Sequence, residues 1–452
     1  MKQIKIRDRL IGAGQPTYII AEMSANHAGS IERAKEIIRA SKAAGADCVK
    51  IQTYTPDTLT IDCQNEYFQI KNGTWEGENL YSLYGKAYTP WEWQQELLEE
   101  AKRVGIDFLS TPFDNTAVDF LEEIGIEFYK IASFELVDLP LIEYVASKGK
   151  PIIMSTGMGT LEEICEAVNA VYSQGNHELA LLKCSSAYPS ISEDMHLATI
   201  QDMIKRFDIP IGLSDHSMGS LGACTAVALG ASVIEKHICI SREIENPDSS
   251  FSMTIEEFKH MVDDIRKVEK AMGVATYGVS KQEEGSVAFR RSIFAVKDIA
   301  KGEAFSRENC RSIRPSYGLK PKFMKDILGM KAGKEIKYGT PLTFELAQKQ
   351  PILLLSNLEN SQSLFSRLAE KEENVCLFHN KLELSIVHAL KPRLIIISDY
   401  PYRIESEIIK YMDGKIIKYM DGKITDLTNC ELSSEAMEDS LLHEIKQLLQ
   451  QN

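Results

Sequence analysis

Two histidines each close a short apolar run, His216 in Ile-Gly-Leu-Ser-Asp-His-Ser and His237 in Val-Ile-Glu-Lys-His-Ile. If the two runs are neighbouring parallel strands, both imidazoles emerge at one rim and begin a metal site with open positions. Water or substrate oxygens would fill those positions. Two lysines, Lys50 and Lys130, sit inside other apolar runs, where a buried ammonium is costly unless it meets an anion. Hydroxyls cluster at the same kind of position: Thr111, Ser133, Ser155, Ser186 with Tyr188, and Ser214. Lysines with hydroxyls are what a phosphate or carboxylate requires. Glu22, Glu135, Asp215 and Asp248 could orient a histidine, bind sugar hydroxyls or move a proton, and the residues alone leave those roles open. His27 reads as a loop or capping residue in preference to a ligand.

Positioning these groups at one rim requires a particular chain order. Strand-like runs at Tyr18–Ser24, Cys48–Thr53, Asp107–Thr111, Phe128–Ser133, Pro151–Thr156, Leu179–Ser185, Pro210–Ser214 and Ser232–His237 alternate with amphipathic stretches. Among those stretches are Ile31–Ala44, Trp91–Val104, Leu161–Ser173, Met195–Phe207 and Leu221–Leu229. Eight such units before about residue 272 predict a (β/α)8 barrel, whose chemistry sits at the carboxyl ends of its strands. A doubly wound open sheet is the alternative, but no Gly-x-Gly-x-x-Gly follows the first strand. The insert Tyr54–Pro90, rich in Tyr, Trp, Asn and Gly, is long enough to cover a ligand at that rim.

The expected domains are a barrel over 1–281, a linker over 282–292, a small β-rich unit over 293–350 and an α/β extension over 351–452. The extension carries two buried-strand signatures, Ile-Leu-Leu-Leu-Ser and Leu-Ile-Ile-Ile-Ser. It also carries the octapeptide Ile-Ile-Lys-Tyr-Met-Asp-Gly-Lys twice, at 408–415 and 416–423. Asp-Gly is a turn signal, so the repeat reads as a duplication at a hairpin or helix end.

The composition is ordinary for a globular chain of 452 residues, 44% hydrophobic and 26% charged. A formal charge of −14 argues against a nucleic-acid partner, so an anionic substrate needs a local basic pocket. No apolar stretch is long enough to span a membrane, and Met-Lys-Gln-Ile-Lys-Ile-Arg lacks a signal-peptide core, which makes a cytoplasmic location the expectation. Nine scattered cysteines without a Cys-x-x-Cys pair fit reduced thiols, and Cys184 and Cys239 read as small buried hydrophobes.

Seven segments in order resemble the sialic acid synthase family: 21–30 (Ala-Glu-Met-Ser-Ala-Asn-His-Ala-Gly-Ser), 50–53 (Lys-Ile-Gln-Thr), 110–113 (Ser-Thr-Pro-Phe), 129–133 (Tyr-Lys-Ile-Ala-Ser), 155–158 (Ser-Thr-Gly-Met), 212–216 (Gly-Leu-Ser-Asp-His) and 235–237 (Glu-Lys-His). Region 293–347, with Arg-Pro-Ser-Tyr-Gly-Leu at 314–319, resembles its antifreeze-like (SAF) domain. Ser-Ala-Asn-His-Ala-Gly and Ile-Gln-Thr-Tyr-Thr-Pro-Asp are most similar to its pseudaminate-forming branch.

The resemblance implies condensation of phosphoenolpyruvate with an N-acetylated aminosugar, for that branch 2,4-diacetamido-2,4,6-trideoxy-L-altrose. It implies that His216 and His237 hold a divalent cation, manganese or magnesium. Lys50, Thr111, Lys130, Ser133, Ser155, Ser186 and Ser214 would surround phosphoenolpyruvate. Glu22, Gln52, Glu135, Tyr188 and Asp248 would face the sugar, with Glu22, Glu135 and Asp248 as the catalytic carboxylates. It further implies a domain-swapped homodimer in which Arg314 of one subunit reaches the sugar in the other. The neuraminate and legionaminate branches are the nearest alternatives. A lysine Schiff-base aldolase and a non-catalytic sugar-binding protein are the rival classes. The extension faintly resembles the nucleotide-fold half of formyltransferases, without the Asn-x-His expected there.

Overall fold

Eight parallel strands, Tyr18–Glu22 (β1), Cys48–Thr53 (β2), Asp107–Pro112 (β3), Tyr129–Ile131 (β4), Ile152–Ser155 (β5), Leu179–Cys184 (β6), Ile211–Asp215 (β7) and Val233–Cys239 (β8), form a closed barrel in this computed structural model. Each strand pairs with the next, and β8 pairs with both β7 and β1. The barrel expected from the strand-helix alternation is therefore the fold. The structure describes residues 2–347 and, beyond them, the strand segments 352–356, 375–378, 394–398, 416–420 and 423–426.

The alternation of side chains across each strand sorts the barrel into layers. Ile19, Ala21, Val49, Ile51, Ile152, Met154, Leu179 and Leu181 face outward into the main core against the helices. The opposite parity, Tyr18, Ile20, Cys48, Leu109, Phe128, Ile153, Leu182 and Val233, fills the interior. An antiparallel N-terminal hairpin, Ile4–Ile6 with Arg9–Ile11, adds Ile4, Ile6 and Ile11 to this plug. Gly212 is required inside it, because a Cβ there would collide with the Val233 carbonyl and the Leu182 side chain.

Helices fit between the strands as their capping residues dictate. Ser30 accepts a hydrogen bond from the Arg33 amide to start Ile31–Ala43, and Thr160 and Glu163 form a capping box before Leu161–Ser173. Trp91–Val104 stops at Gly105, whose φ of 72° is the left-handed C-terminal conformation. The helix expected from Met195 starts only at Ala198, because His196 has φ 44° and Leu197 offers no side-chain cap.

The chain divides into compact units at Met1–Ala275 and Thr276–Asn452. The second unit opens with a short helical turn, Glu284–Phe289, and Ser292 already begins the strand Ser292–Ala295, which pairs antiparallel with Cys310–Ile313. Ile293, Ile299, Phe305, Ile327, Ile336 and Leu342 form its core. Further on, Ile352–Ser356 and Leu394–Ser398, the two strands read from sequence, are parallel neighbours in a five-stranded sheet. Ile416–Met420, from the second octapeptide copy, pairs antiparallel with Lys423–Asp426, and Met420↔Lys423 ends the register as a hairpin requires. The first copy, and the helices expected between these strands, lie outside the described residues.

Candidate functional site

One step along each strand from the apolar plug, the inward parity turns polar: Glu22, Lys50, Thr111, Lys130, Ser155, Cys184, Ser214 and Glu235. All eight are buried. Strand pairing sets Glu22 opposite Lys50 and Ser214 opposite Glu235. Lys50 Nζ lies 2.9 Å from Glu22 Oε2 and 3.1 Å from Glu235 Oε1, and Ser214 donates to Glu235 Oε1 at 3.2 Å. Lys130 Nζ donates to Ser155 Oγ at 2.6 Å and to the Ile131 carbonyl at 2.9 Å, and stands 3.9 Å from Glu235 Oε2.

Charge in this layer is set by burial and mutual contact. Burial disfavours the charged form of Lys50, but Glu22 and Glu235 outweigh it and hold the ammonium charged. Lys130 has less compensation, and burial brings it down to about 8. Burial pushes Glu22 up to about 7 despite Lys50, whereas Lys130 and Lys50 overcome burial at Glu235 and keep it ionised. Two cations and Glu235 thus share one floor, with Thr111 Oγ1 and Glu235 Oε2 lacking hydrogen-bond partners among the described residues. An incoming oxyanion would accept from the unpartnered Thr111 hydroxyl and the two ammonium groups, while Glu235 tempers their charge.

The loops after β4, β5 and β6 extend the cradle upward. Gly157 N donates to Ser133 Oγ at 3.1 Å, and a Cβ on Gly157 would run into the hydroxyls of Ser133 and Ser186. Only glycine leaves room beside these two hydroxyls, and its N–H holds the Ser133 oxygen in place. Glu135 lines the same cavity, and its Oε2 is buried without a partner. Burial raises its carboxyl to about 7.

Above the floor stand the imidazoles, with ring centroids 5.3 Å apart. His216 Nδ1 lies 2.9 Å from the Ser185 carbonyl, which makes Nδ1 the donor and leaves Nε2 as the ligating nitrogen of the deprotonated ring. His237 Nδ1 is buried without a hydrogen bond, 4.0 Å from Asp248 Oδ2. Burial first, then His216 and the lysines, keep His237 neutral. Burial lowers His216 but Cys184 and the Ser185 carbonyl outweigh it and raise it, so this ring must give up its proton before it can join the orphaned nitrogen of His237 in holding a divalent cation. Among the described residues no third His, Cys, Asp or Glu completes a three-ligand group, so the remaining positions would fall to water and substrate oxygens. Asp248 Oδ2 accepts from the Ala25 amide at 3.1 Å, which ties this carboxylate to the loop after β1.

Lys50, Gln52, Lys130, Ser133, Glu135, Ser155, Tyr188, Ser214, His216, His237 and Asp248 line one cavity of about 490 Å³. Glu22 lies behind Lys50 and Gln52, whose amide donates to it at 3.1 Å. Thr111 and Ser186 are not among the lining residues. Asp215 has the outward parity and is not a site group: it binds Lys236 at 2.7 Å and the Ser217 amide at 2.9 Å. His27 is a buried structural histidine, accepting from the Gly29 amide at 3.1 Å and packed edge-on against Trp93. Cys184 is buried yet forms part of the cavity wall rather than of the core. Arg314 lies in the second compact unit, exposed and, among the described residues, without a hydrogen bond or ion pair.

Reading strand ends alone misses Glu235, whose signal is its position two residues before His237 on the same face of β8. It also misses the roof. The insert after β2 contributes Leu59, Ile70, Trp75, Leu80 and Leu83 to the cavity. Trp75 Nε1 donates to the Pro247 carbonyl at 2.8 Å and its ring lies 5.5 Å from that of Tyr188, so the insert folds over the barrel mouth.

Fold and site together define a class: a (β/α)8 barrel with a cationic, hydroxyl-lined anion cradle beneath paired imidazoles, followed by a small β-rich unit. The chain belongs to the NeuB family, whose model matches residues 37–277, and residues 290–346 match the SAF domain. It is 47% identical over 325 residues to the pseudaminic acid synthase of Campylobacter jejuni, covering 72% of this chain and 95% of that protein. To the pseudaminic acid synthase of Helicobacter pylori it is 45% identical, over 73% and 97% of the two chains. Among solved structures, the spore coat polysaccharide biosynthesis protein SpsE of Bacillus subtilis superposes with a TM-score of 0.52 at 32% identity, covering 77% of this chain and 99% of that one. No helix among the described residues is long and apolar enough to cross a membrane.

Proposed function

We propose that this protein condenses phosphoenolpyruvate with the open-chain aldehyde of 2,4-diacetamido-2,4,6-trideoxy-L-altrose and water, releasing pseudaminic acid and phosphate. The observation that carries this reading is the meeting, in one cavity, of the Lys50–Lys130 floor and the His216–His237 pair. The similarity to two pseudaminic acid synthases supports the choice of acceptor.

In this reading Lys130, Ser133, Ser155 and Ser186 hold the phosphate, while Lys50, Thr111 and Ser214 bind the carboxylate end. His216 and His237 hold manganese or magnesium, which when bound supplies Lewis-acid polarisation of a carbonyl oxygen and orients the two substrates. C3 of phosphoenolpyruvate forms the new bond to the aldehyde carbon, whose oxygen takes up a proton. Water adds to C2 and loses a proton, and the C2–O bond to phosphate then breaks as the new hydroxyl passes its proton to the departing phosphate, leaving the 2-keto acid. Glu135, with a carboxyl near pH 7 and an unpartnered oxygen in the cavity, moves one of those protons. Glu22 and Asp248 act beside it, Glu22 through Lys50 and Gln52, and Asp248 beside His237. Gln52 and Tyr188 face the sugar.

We further infer a homodimer. Phe134, Val137, Met158, Leu161, Ile191, Met218 and Leu221 are exposed apolar residues on four successive strand-end loops, a rim that a second copy would cover. Arg314, without a partner among the described residues, is the group that would reach the other subunit's sugar. Incubation with phosphoenolpyruvate and competing acetamido sugars tests the reaction. Phosphate release should depend on the acceptor, and bridging ¹⁸O from C2 of phosphoenolpyruvate should leave with phosphate. Retention of that label in the sugar acid would overturn C–O cleavage.

A further inference from the structure

The insert at 54–90 turns opposite characters to its two faces. Toward the cavity it presents Leu59, Ile70, Trp75, Leu80 and Leu83, with Asn72 and the phenols of Tyr54 and Tyr84 as its polar groups. Among the described residues it brings no charged side chain there. Its charges pair on the outside instead, Lys71 with Glu66 at 3.9 Å and Lys86 with Glu78 at 2.8 Å. Leu83 is buried, while Leu59, Ile70 and Leu80 are half-buried beside the cavity.

The depth of the cavity orders what meets this wall. Cations and hydroxyls occupy the floor, the imidazoles stand above them, and the insert is anchored over the mouth through Trp75 to Pro247 and Tyr188. A sugar whose aldehyde carbon lies beside the imidazoles therefore extends its far end away from the floor, toward leucine and isoleucine. A phosphate or an ammonium there would find no counter-charge, and a hydroxymethyl set against Ile70, Leu80 and Leu83 would lose water without gaining a partner from them. A methyl and the methyls of acetamido groups would gain burial.

We propose that Ile70, Leu80 and Leu83 are specificity-determining residues that receive the terminal methyl of a 6-deoxy acetamido sugar and disfavour acceptors oxygenated or phosphorylated at that carbon. This rests on the condensation proposed above. An apolar pocket separates a methyl from its hydroxylated analogue by roughly a hundredfold, and a single lost apolar contact costs about ten- to two-hundredfold.

The test compares kcat/KM for 2,4-diacetamido-2,4,6-trideoxy-L-altrose and for its 6-hydroxy analogue, read as phosphate released from phosphoenolpyruvate. The wild-type protein should prefer the deoxy sugar by about a hundredfold. Ile70→Asn should bring that ratio to within about tenfold without moving KM for phosphoenolpyruvate, because the floor is untouched. Half-buried Leu80→Asn provides the same reading if the buried Leu83→Asn does not fold. Equal use of both acceptors by the wild type, or an unmoved ratio in Ile70→Asn and Leu80→Asn, overturns the assignment while leaving the condensation standing. Absence of phosphate release with either acceptor overturns the condensation itself, and the assignment with it.

Discussion

Lys50 and Glu235 form a 3.1 Å ion pair at the floor of the cavity, both buried, on strands separated by β1. Glu235 also counters Lys130, so one carboxylate tempers two ammonium groups that would otherwise repel each other. A dianionic substrate arriving there meets charge that is already paid for by the fold.

Lys130 should report its protonation in substrate binding. With burial holding it at about 8, KM for phosphoenolpyruvate should rise as pH passes through 8 and the ammonium is lost. Glu235→Gln removes an influence that raises Lys130, so the rise should begin at lower pH. Steady-state kinetics between pH 6 and 9 decide it, and superimposable profiles would sink the coupling.

Replacing Lys130 by methionine should lower kcat/KM for phosphoenolpyruvate roughly ten- to hundredfold, the worth of a charge-assisted hydrogen bond. Borohydride with pyruvate should trap no adduct on the wild-type protein. A trapped lysine would favour Schiff-base chemistry instead.

Glu135→Gln should lower turnover by a factor on the order of 10²–10⁴ and abolish a limb near pH 7 in the rate profile. Full turnover with unchanged pH dependence ends the proton-transfer role. The same variant should be more stable than wild type at pH 8. Burial raises the folded-state pKa to about 7 from the ordinary 4.5, so stability is complete below the unfolded value and is lost as pH rises through about 7. The gain is on the order of 3 kcal/mol, measurable by urea unfolding at pH 5 and pH 8.

Chelation should bring phosphate release to background, with recovery on adding manganese. In His237→Ala the recovery should fail, and manganese bound per chain, read by electron paramagnetic resonance, should fall in parallel. Strong manganese binding by the variant would remove His237 from the ligand set.

Mixing an Arg314→Ala subunit with a His216→Ala subunit should restore activity that neither has alone, because a hybrid dimer reassembles one intact site. No rescue in a mixture shown to exchange subunits argues against a shared site.

By itself the sequence determined the barrel, because apolar runs bounded by polar ends and helical periods repeat eight times and depend on local spacing alone. It also marked the lysines, hydroxyls and histidines at the strand ends, since polar residues there interrupt otherwise apolar patterns. It did not separate Asp215 from Glu235: each adjoins a cavity-lining histidine or lies near one, but their strand parities point them to opposite sides of the wall. Nor did it reveal that Glu22 lies behind Lys50, or that Leu83 and Trp75 roof the same cavity. Only tertiary structure decides these, because barrel closure and the return of a long insert set contacts between residues far apart in the chain, and local spacing does not encode such distances.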